Sequence, residues 1–404
     1  MKSEAAAIVR SVDLSVLRAV LEAHARYLTG VPGGRRANLA YFDLRNFNLE
    51  GVDLRDSELT GARLNGALLS SARLDRAILF GADMREADLR QASLTKADLR
   101  GACLRGANLS GADLVGCDLR VGLIALADAK EGFRLLKHEK RPGELDYAIL
   151  SGANLAGAQM SGTMALAADF RDADLSNAVL SGAKLRNAAL DGADLSGAEL
   201  SQTDLSGASM KRAVLTGANI EHANTDKADL AGVLRAPPPS VYIDDQPLHE
   251  AIASHERWVD TGGLEGSIAK AADVDMRPMR TLARRRMTAL HAPRAVFFGL
   301  DLSGAQLQGA DLTGADLRTV KLRDADLRGA KLVGAQLAKA DLRGAKLGPL
   351  MIAEGRYVRA DLTRAGLRHA DLRGADLKRA RLIEVDLAEA KMDGADLTQA
   401  ELDA

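Results

Sequence analysis

Residues 37–71 read ANLAY FDLRN FNLEG VDLRD SELTG ARLNG ALLSS, and the spacing of leucine in that stretch decides the fold. Leu39, Leu44, Leu49, Leu54, Leu59 and Leu64 recur every five residues, and the series continues to Leu119 with Met84 substituting once. Two positions before each sits a small residue, usually alanine, as at Ala62, Ala67, Ala72 and Ala77. A polar residue, often Asp or Asn, lies between the two, so the unit is A-(D/N)-L-x-x. A second block spans about 146–232, with centres such as Leu150, Leu155, Leu175 and Leu195. A third spans about 294–404, with centres such as Leu302, Leu322, Leu342 and Leu402. Phase is kept inside each block, so the segments between blocks are excursions from one pattern.

A period of five suits neither common element. On a helix, leucines five apart would step around the axis by about 140° and bury no single face. A continuous strand needs a period of two. The unit holds one short alternation, with Ala inward, Asp outward and Leu inward, and two residues remain to turn a corner. Four such sides close a square coil of about 20 residues, and coils stack at the strand spacing of about 4.8 Å. Leucines then form interior columns, including Leu39, Leu64, Leu89, Leu109, Leu175, Leu195, Leu312, Leu342 and Leu372. Backbone groups pair with the coils above and below, as in other solenoids.

This pattern closely resembles the pentapeptide-repeat family over about three quarters of the chain. The resemblance implies an all-β solenoid, a right-handed quadrilateral β-helix; the period argument does not give the hand.

Composition agrees with a repeat. Aromatic residues make up 3% of 404, too few for an ordinary core of that size. The 54 basic and 55 acidic residues balance, which argues against a general affinity for nucleic acid or membrane. Cys103 and Cys117 make no disulfide framework. The N-terminus lacks an apolar signal region and no stretch is long enough to span a bilayer, so a soluble, cytoplasmic protein is expected.

Solenoid ends need covering. Residues 13–28 place Leu17, Leu21, His24 and Leu28 on one helical stripe, with Val20 and Tyr27 beside it. Residues 244–259 repeat the arrangement with Leu248, Ile252, His255 and Val259, and Trp258 matches Tyr27. The expected organisation is a helical cap (1–36), a β-helix (37–234) with an irregular insertion (121–145), a Pro-rich linker (235–247), a second helical cap (248–268) and a second β-helix (269–404) with an irregular loop at 283–293. Two capped β-helices in tandem are preferred over one solenoid carrying a helical insertion at 236–293. The insertion at 121–145 reads as a loop with a short helix near Lys130–Lys137. The last coil, at Leu402, reads as an open end that a second copy buries.

No nucleophile elbow, phosphate-binding loop or spaced Cys/His set is present, so no catalytic, cofactor or metal site is expected. The many Asp residues fill outward slots of the repeat. His24 and His255 read as packed, hydrogen-bonded core histidines, Cys117 as a substitute for alanine, and Cys103 as a neutral surface thiol. The candidate partner-binding residues are Arg277, Arg280, Arg284, Arg285 and Arg286, in an irregular basic run, with Leu350 and Tyr357 where GPLMIAEGRY (348–357) breaks the ladder. The basic run is open to docking an acidic partner or nucleic acid, or to being a solvated loop. Leu350 reads as filling an alanine slot and Tyr357 as a centre, and Thr163, Met164 and Ala165 mark a second break where the centre is small. Outward rows such as Arg318, Lys321, Arg323, Asp324, Asp326 and Arg328 mix both signs.

The expected function is a non-enzymatic protein-interaction scaffold with an unknown protein partner, without membrane attachment or direct nucleic-acid binding. Two alternatives stand beside it. Some members of the resembled family mimic duplex DNA and bind DNA gyrase, which implies a topoisomerase regulator but needs a dense acidic face that the alternating charges here do not supply. The other is a targeting module for a signalling partner.

Overall fold

The structure is a computed structural model, and it describes residues 10–11, 13–127 and 136–403. The chain separates into two compact units, Met1–Ala236 and Pro237–Ala404.

The five-residue unit builds each side of a coil. The residue before each leucine bridges in parallel to its counterpart one coil on, as Asn38 does to Glu58 and Glu58 to Ile78. The backbone bonds follow from that register. Leu59 N–H donates to the Ile78 carbonyl at 2.7 Å, and Ile78 N–H donates back to the Ser57 carbonyl at 2.9 Å. A turn bond from Ala62 N–H to the Leu59 carbonyl (3.0 Å) closes each corner. Pairing is thus one residue per side, and most of the solenoid consists of isolated parallel bridges between turns. The corner residue has φ near +60° whether or not it is glycine, as at Asp56 (60°), Arg76 (57°) and Lys96 (57°). Side chains at those corners hold the left-handed region at a local steric cost that the backbone pairing of the coil offsets.

In the first unit, β1 (Arg10–Ser11) leads to α1 (Leu14–Leu28), and β1 pairs in parallel with β2 (Phe42–Asp43). Asp13 caps α1 by accepting from Val16 N–H at 2.9 Å. Leu17 joins the core, with Val20 and Leu21 partly buried against it beside Phe42, Phe47 and Val52 of the first coil. Those larger residues stand where later coils use alanine. The chain leaving α1 passes so close that a side chain at Gly34 would run into the Tyr27 backbone. Leu39, Leu64, Leu89, Leu109, Leu175 and Leu195 are fully buried, each removing a side chain from water at about 1.5–3 kcal/mol.

The ladder shifts once: Cys103 pairs with Glu144, a step of 41 that adds 21 residues to the usual 20. The added residues leave at a corner and carry the antiparallel pair β3 (Gly122–Ala127) and β4 (Leu136–Arg141). This corrects the expected helix near Lys130–Lys137: Leu136 and Lys137 are strand, and 130–135 lie outside the described residues. Thr163 occupies an alanine slot and directs its hydroxyl to the Leu119 carbonyl at 3.2 Å.

In the second unit, β5 (Tyr242–Ile243) and β6 (Gln246–Pro247) form a short hairpin that leads into α2 (Leu248–Asp260). Residues 241–247 are therefore more than a linker, since Ile243 is buried in this unit's core. Leu248, Ala251, Ile252, Ser254 and His255 form the buried face of α2. A 3-10 turn at Arg277–Met279 adds one residue to the first coil, so Lys270 pairs with His291. The irregular loop expected at 283–293 does not exist: Leu282, Met287 and Ala292 are buried centres, and the irregularity lies at 277–280. Leu312, Leu342 and Leu372 are interior.

Ten extra residues separate Lys331 from its partner Asp361. They form the antiparallel hairpin of β7 (Leu350–Ala353) and β8 (Arg356–Val358), while Leu347 and Leu362 on either side stay fully buried. Tyr357 is thus 52% exposed on a hairpin and not a centre, and Leu350 lies outside the ladder against the Gly309 and Gly329 corners. The reading of both as ladder residues is corrected by that insertion. Finally, β9 (Arg381–Leu382) pairs in parallel with β10 (Glu401–Leu402).

Candidate interaction surface

The outer surface is organised by a three-residue pattern. In D-L-R, the Asp and the Arg flank a buried leucine and so point outward from the same side. Asp43–Arg45, Asp88–Arg90, Asp118–Arg120, Asp316–Arg318, Asp341–Arg343 and Asp371–Arg373 all close to 2.6–2.7 Å. The geometry is bidentate: Arg45 Nε reaches Asp43 Oδ1 at 2.7 Å and its second nitrogen reaches Oδ2 at 2.6 Å. Arg45 and Arg90 hold the carboxyls of Asp43 and Asp88 below the usual range. Pairs also run between coils, as from Arg323 to Asp341 (2.7 Å) and from Arg76 to Asp56 (2.7 Å). The mixed rows therefore neutralise themselves. Arg318 is not a displayed residue at all, being 4% exposed with its guanidinium over the Phe298 ring at 5.4 Å.

The basic run is dispersed by the fold. Arg277 is tied to Asp275 at 2.6 Å and is largely covered. Arg285 occupies an inner slot of the first coil but turns to Glu256 of α2 at 2.6 Å. Arg286 reaches Asp260 of α2 at 2.8 Å, and its backbone N–H donates to Glu256 at 3.2 Å. Arg280 and Arg284 are exposed corner residues with φ of 60° and 59°. Three of the five arginines thus serve the fold, two by fastening α2 to its coil. In the first unit the inner slot that matches Arg285 holds Val52, so the second helix adds ion pairs to an apolar seat where the first has apolar residues alone.

His24 and His255 are fully buried, and each ring Nδ1 accepts a backbone N–H, from Ala37 at 3.1 Å and from Ala269 at 3.2 Å. Each ring stacks at 5.8 Å on the aromatic residue three positions on, Tyr27 or Trp258. Burial pushes both imidazoles below their ordinary pKa. Cys117 is fully buried in an alanine slot. Cys103 is not a surface thiol: it is 9% exposed, donates to Glu144 at 3.3 Å, and burial pushes it up to about 11. Among the described residues no group of His, Cys, Asp or Glu is placed to hold a metal ion. No helix among them is long and apolar enough to cross a membrane.

The hairpin at 350–358 is the surface feature that sequence reasoning misplaced. Met351 and Tyr357 face each other across its register and, with Ile352, are 62%, 52% and 54% exposed. The break at 348–357 shows in the sequence, but its nature as an insertion does not, because ten added residues leave a five-residue phase unchanged.

Stacked four-sided coils with a leucine interior define a quadrilateral β-helical solenoid. Eight copies of the model for pentapeptide repeats match, over residues 35–70, 57–96, 72–111, 82–120, 166–202, 193–232, 321–348 and 360–399, more than half of the chain. The chain belongs to the pentapeptide repeat family, whose fold is the right-handed quadrilateral β-helix and whose members are generally structural or binding proteins. Solved relatives include HetL, a pentapeptide repeat protein involved in heterocyst differentiation regulation in the cyanobacterium Nostoc sp. strain PCC 7120. It is 22% identical over 96% of this chain and 94% of its own, with a TM-score of 0.21. Rfr23 from the cyanobacterium Cyanothece 51142 is 27% identical over 33% of this chain and 90% of its own, with a TM-score of 0.28. QnrB1, a plasmid-mediated fluoroquinolone resistance protein, is 24% identical over 48% of this chain and 81% of its own, with a TM-score of 0.16. The assignment rests on the repeat match and not on these superpositions. No match was found among the curated proteins.

Proposed function

We propose that the chain is a non-enzymatic protein-interaction scaffold made of two β-helices in tandem, each begun by a capping helix. One observation carries the reading: the leucine interior fixes rows of outward side chains, and many of the outward carboxylates are paired with arginines on their own side or the next coil. Such a surface offers position and shape without a convergent reactive group. The same pairing speaks against a dense DNA-like acidic face, since arginines neutralise many of the aspartates where they stand, while Asp174 and Asp194 are held by serine N–H groups alone.

The test is capture of partners by the immobilised 404-residue chain from native cell extract, with and without nuclease. A discrete protein held in stoichiometric amount through nuclease treatment is the expected result. Retention that disappears with nuclease, or no retention above an unrelated solenoid, overturns the reading.

The last coil is proposed to pair with a second copy. Leu397 and Leu402 there are 37% and 52% exposed. Residues 382–403 carry seven carboxylates against one lysine, so two such ends repel. Sedimentation should show a dimer that tightens as salt screens that repulsion and disappears in Leu402→Glu. A monomer at every salt concentration rules the pairing out.

A further inference from the structure

The hairpin at 350–358 does nothing for the ladder. Leu347 and Leu362 are fully buried on either side of it, and the parallel bridges resume beyond it at the normal interval. Leu350 anchors the base against the Gly309 and Gly329 corners, and the rest projects. On it Met351, Ile352 and Tyr357 expose more than half of their surface, in a chain where 3% of residues are aromatic. Grouped exposed apolar residues on a projecting, rigidly rooted element are what a binding surface requires.

Charge supplies the partner's chemistry. From residue 277 to 381 Lys and Arg number 22 against 10 Asp and Glu, although the whole chain is balanced. The hairpin emerges from this basic body and carries Glu354 and Arg356 at its turn, and Arg356 makes no ion pair among the described residues. Tyr, Met and Arg are the residue types enriched at the centres of protein interfaces. Nucleic acid fits less well. Arg323, Arg343 and Arg373, which line successive coils, are already engaged by Asp341 or Asp371, and Met351 and Ile352 offer phosphates nothing.

We infer that the 350–358 hairpin is a docking element for an acidic protein segment that brings at least one large apolar side chain to Met351, Ile352 and Tyr357 and a carboxylate to Arg356. The inference rests on the scaffold reading and names the kind of partner.

A phage library of random dodecapeptides panned on the intact chain tests it, with the recovered peptides synthesised and measured by fluorescence anisotropy. The expected peptides are acidic with an apolar anchor. They should bind about tenfold or more weakly to M351S/I352S/Y357S and to Arg356→Glu. Both variants should keep the wild-type thermal midpoint because the hairpin lies outside the core. If the triple variant loses it, single Tyr357→Ser takes its place. Peptides that bind the variants as well as wild type overturn the inference and leave the scaffold standing on another face. Failure to enrich acidic peptides overturns it too. So does short duplex DNA that displaces the peptides and itself depends on Arg356.

Discussion

Side-chain volume is shared out within a coil, residue by residue. Ala165 and Phe170 are centres of adjacent sides of one coil, and Ala292 and Phe297 repeat that order in the second unit; all four are fully buried. A small centre next to a large one keeps the coil's total near that of two leucines. Ala165→Leu alone should overpack the coil and cost about 1–3 kcal/mol. Phe170→Leu alone should leave a cavity and cost about 1 kcal/mol or more. The double variant should lie well above the sum of the two, and a double-mutant cycle in urea reads the coupling. Additive losses would show that the two sides pack independently. The sequence displayed the small centre at Ala165 plainly, but its compensation by Phe170 is visible only once the coil closes and brings the two sides together.

The two helices are tied to their coils by one shared device and by different surroundings. In each, a buried imidazole accepts a backbone N–H, so the ring must be neutral at Nδ1. The charged groups that act on His24 are Asp53, Asp56 and Arg36, and Glu256 acts on His255. With both imidazoles held below their ordinary value of 6.5, the unfolded chain binds more protons than the native one as pH falls through that value. Their stabilising contribution is therefore complete above it and is lost below it. Burial beside Lys339 and Arg368 also pushes His369 down, to about 4, against the pull of the Glu389 carboxylate 3.2 Å from its Nδ1. The expected outcome is faster hydrogen exchange of the Ala37 and Ala269 amides, relative to intrinsic rates, near pH 5 than near pH 8. His24→Ala should cost about 1–3 kcal/mol and abolish that sensitivity at Ala37. Equal protection at both pH values would show that the rings do not govern the seam. The second helix has its own dependence, since Glu256→Gln weakens the hold of Arg285 and should cost about 1 kcal/mol, with faster exchange confined to α2. Unchanged exchange in α2 would make that pair incidental. Both helices were legible from an apolar stripe and its repetition. The ionic seat of α2 was not, because Arg285 looked like part of a loop until the first coil proved regular there. The hairpins show the same limit: 21 extra residues broke the phase and marked the first as an insertion, whereas ten kept the phase and left the second legible only as a run of altered ladder residues.

Across the whole molecule, stability is local. A solenoid's coils contact only their neighbours, and each unit has its own continuous core. Leu312→Ala removes about 2–5 kcal/mol from the second core alone. Exchange measured by mass spectrometry should then quicken within 237–404 and stay unchanged in the first unit, and Leu175→Ala should do the reverse. A loss of protection in both units from either substitution would mean that they unfold as one. The corner at which β7 and β8 leave the coil has a separate consequence. Between Leu347 and Leu362 the backbone departs and returns while the interior keeps its count, so this edge is a permissive splice point. Exterior length there is uncoupled from interior order, and a lineage or an engineer can exchange what is displayed without rewriting the tube that displays it.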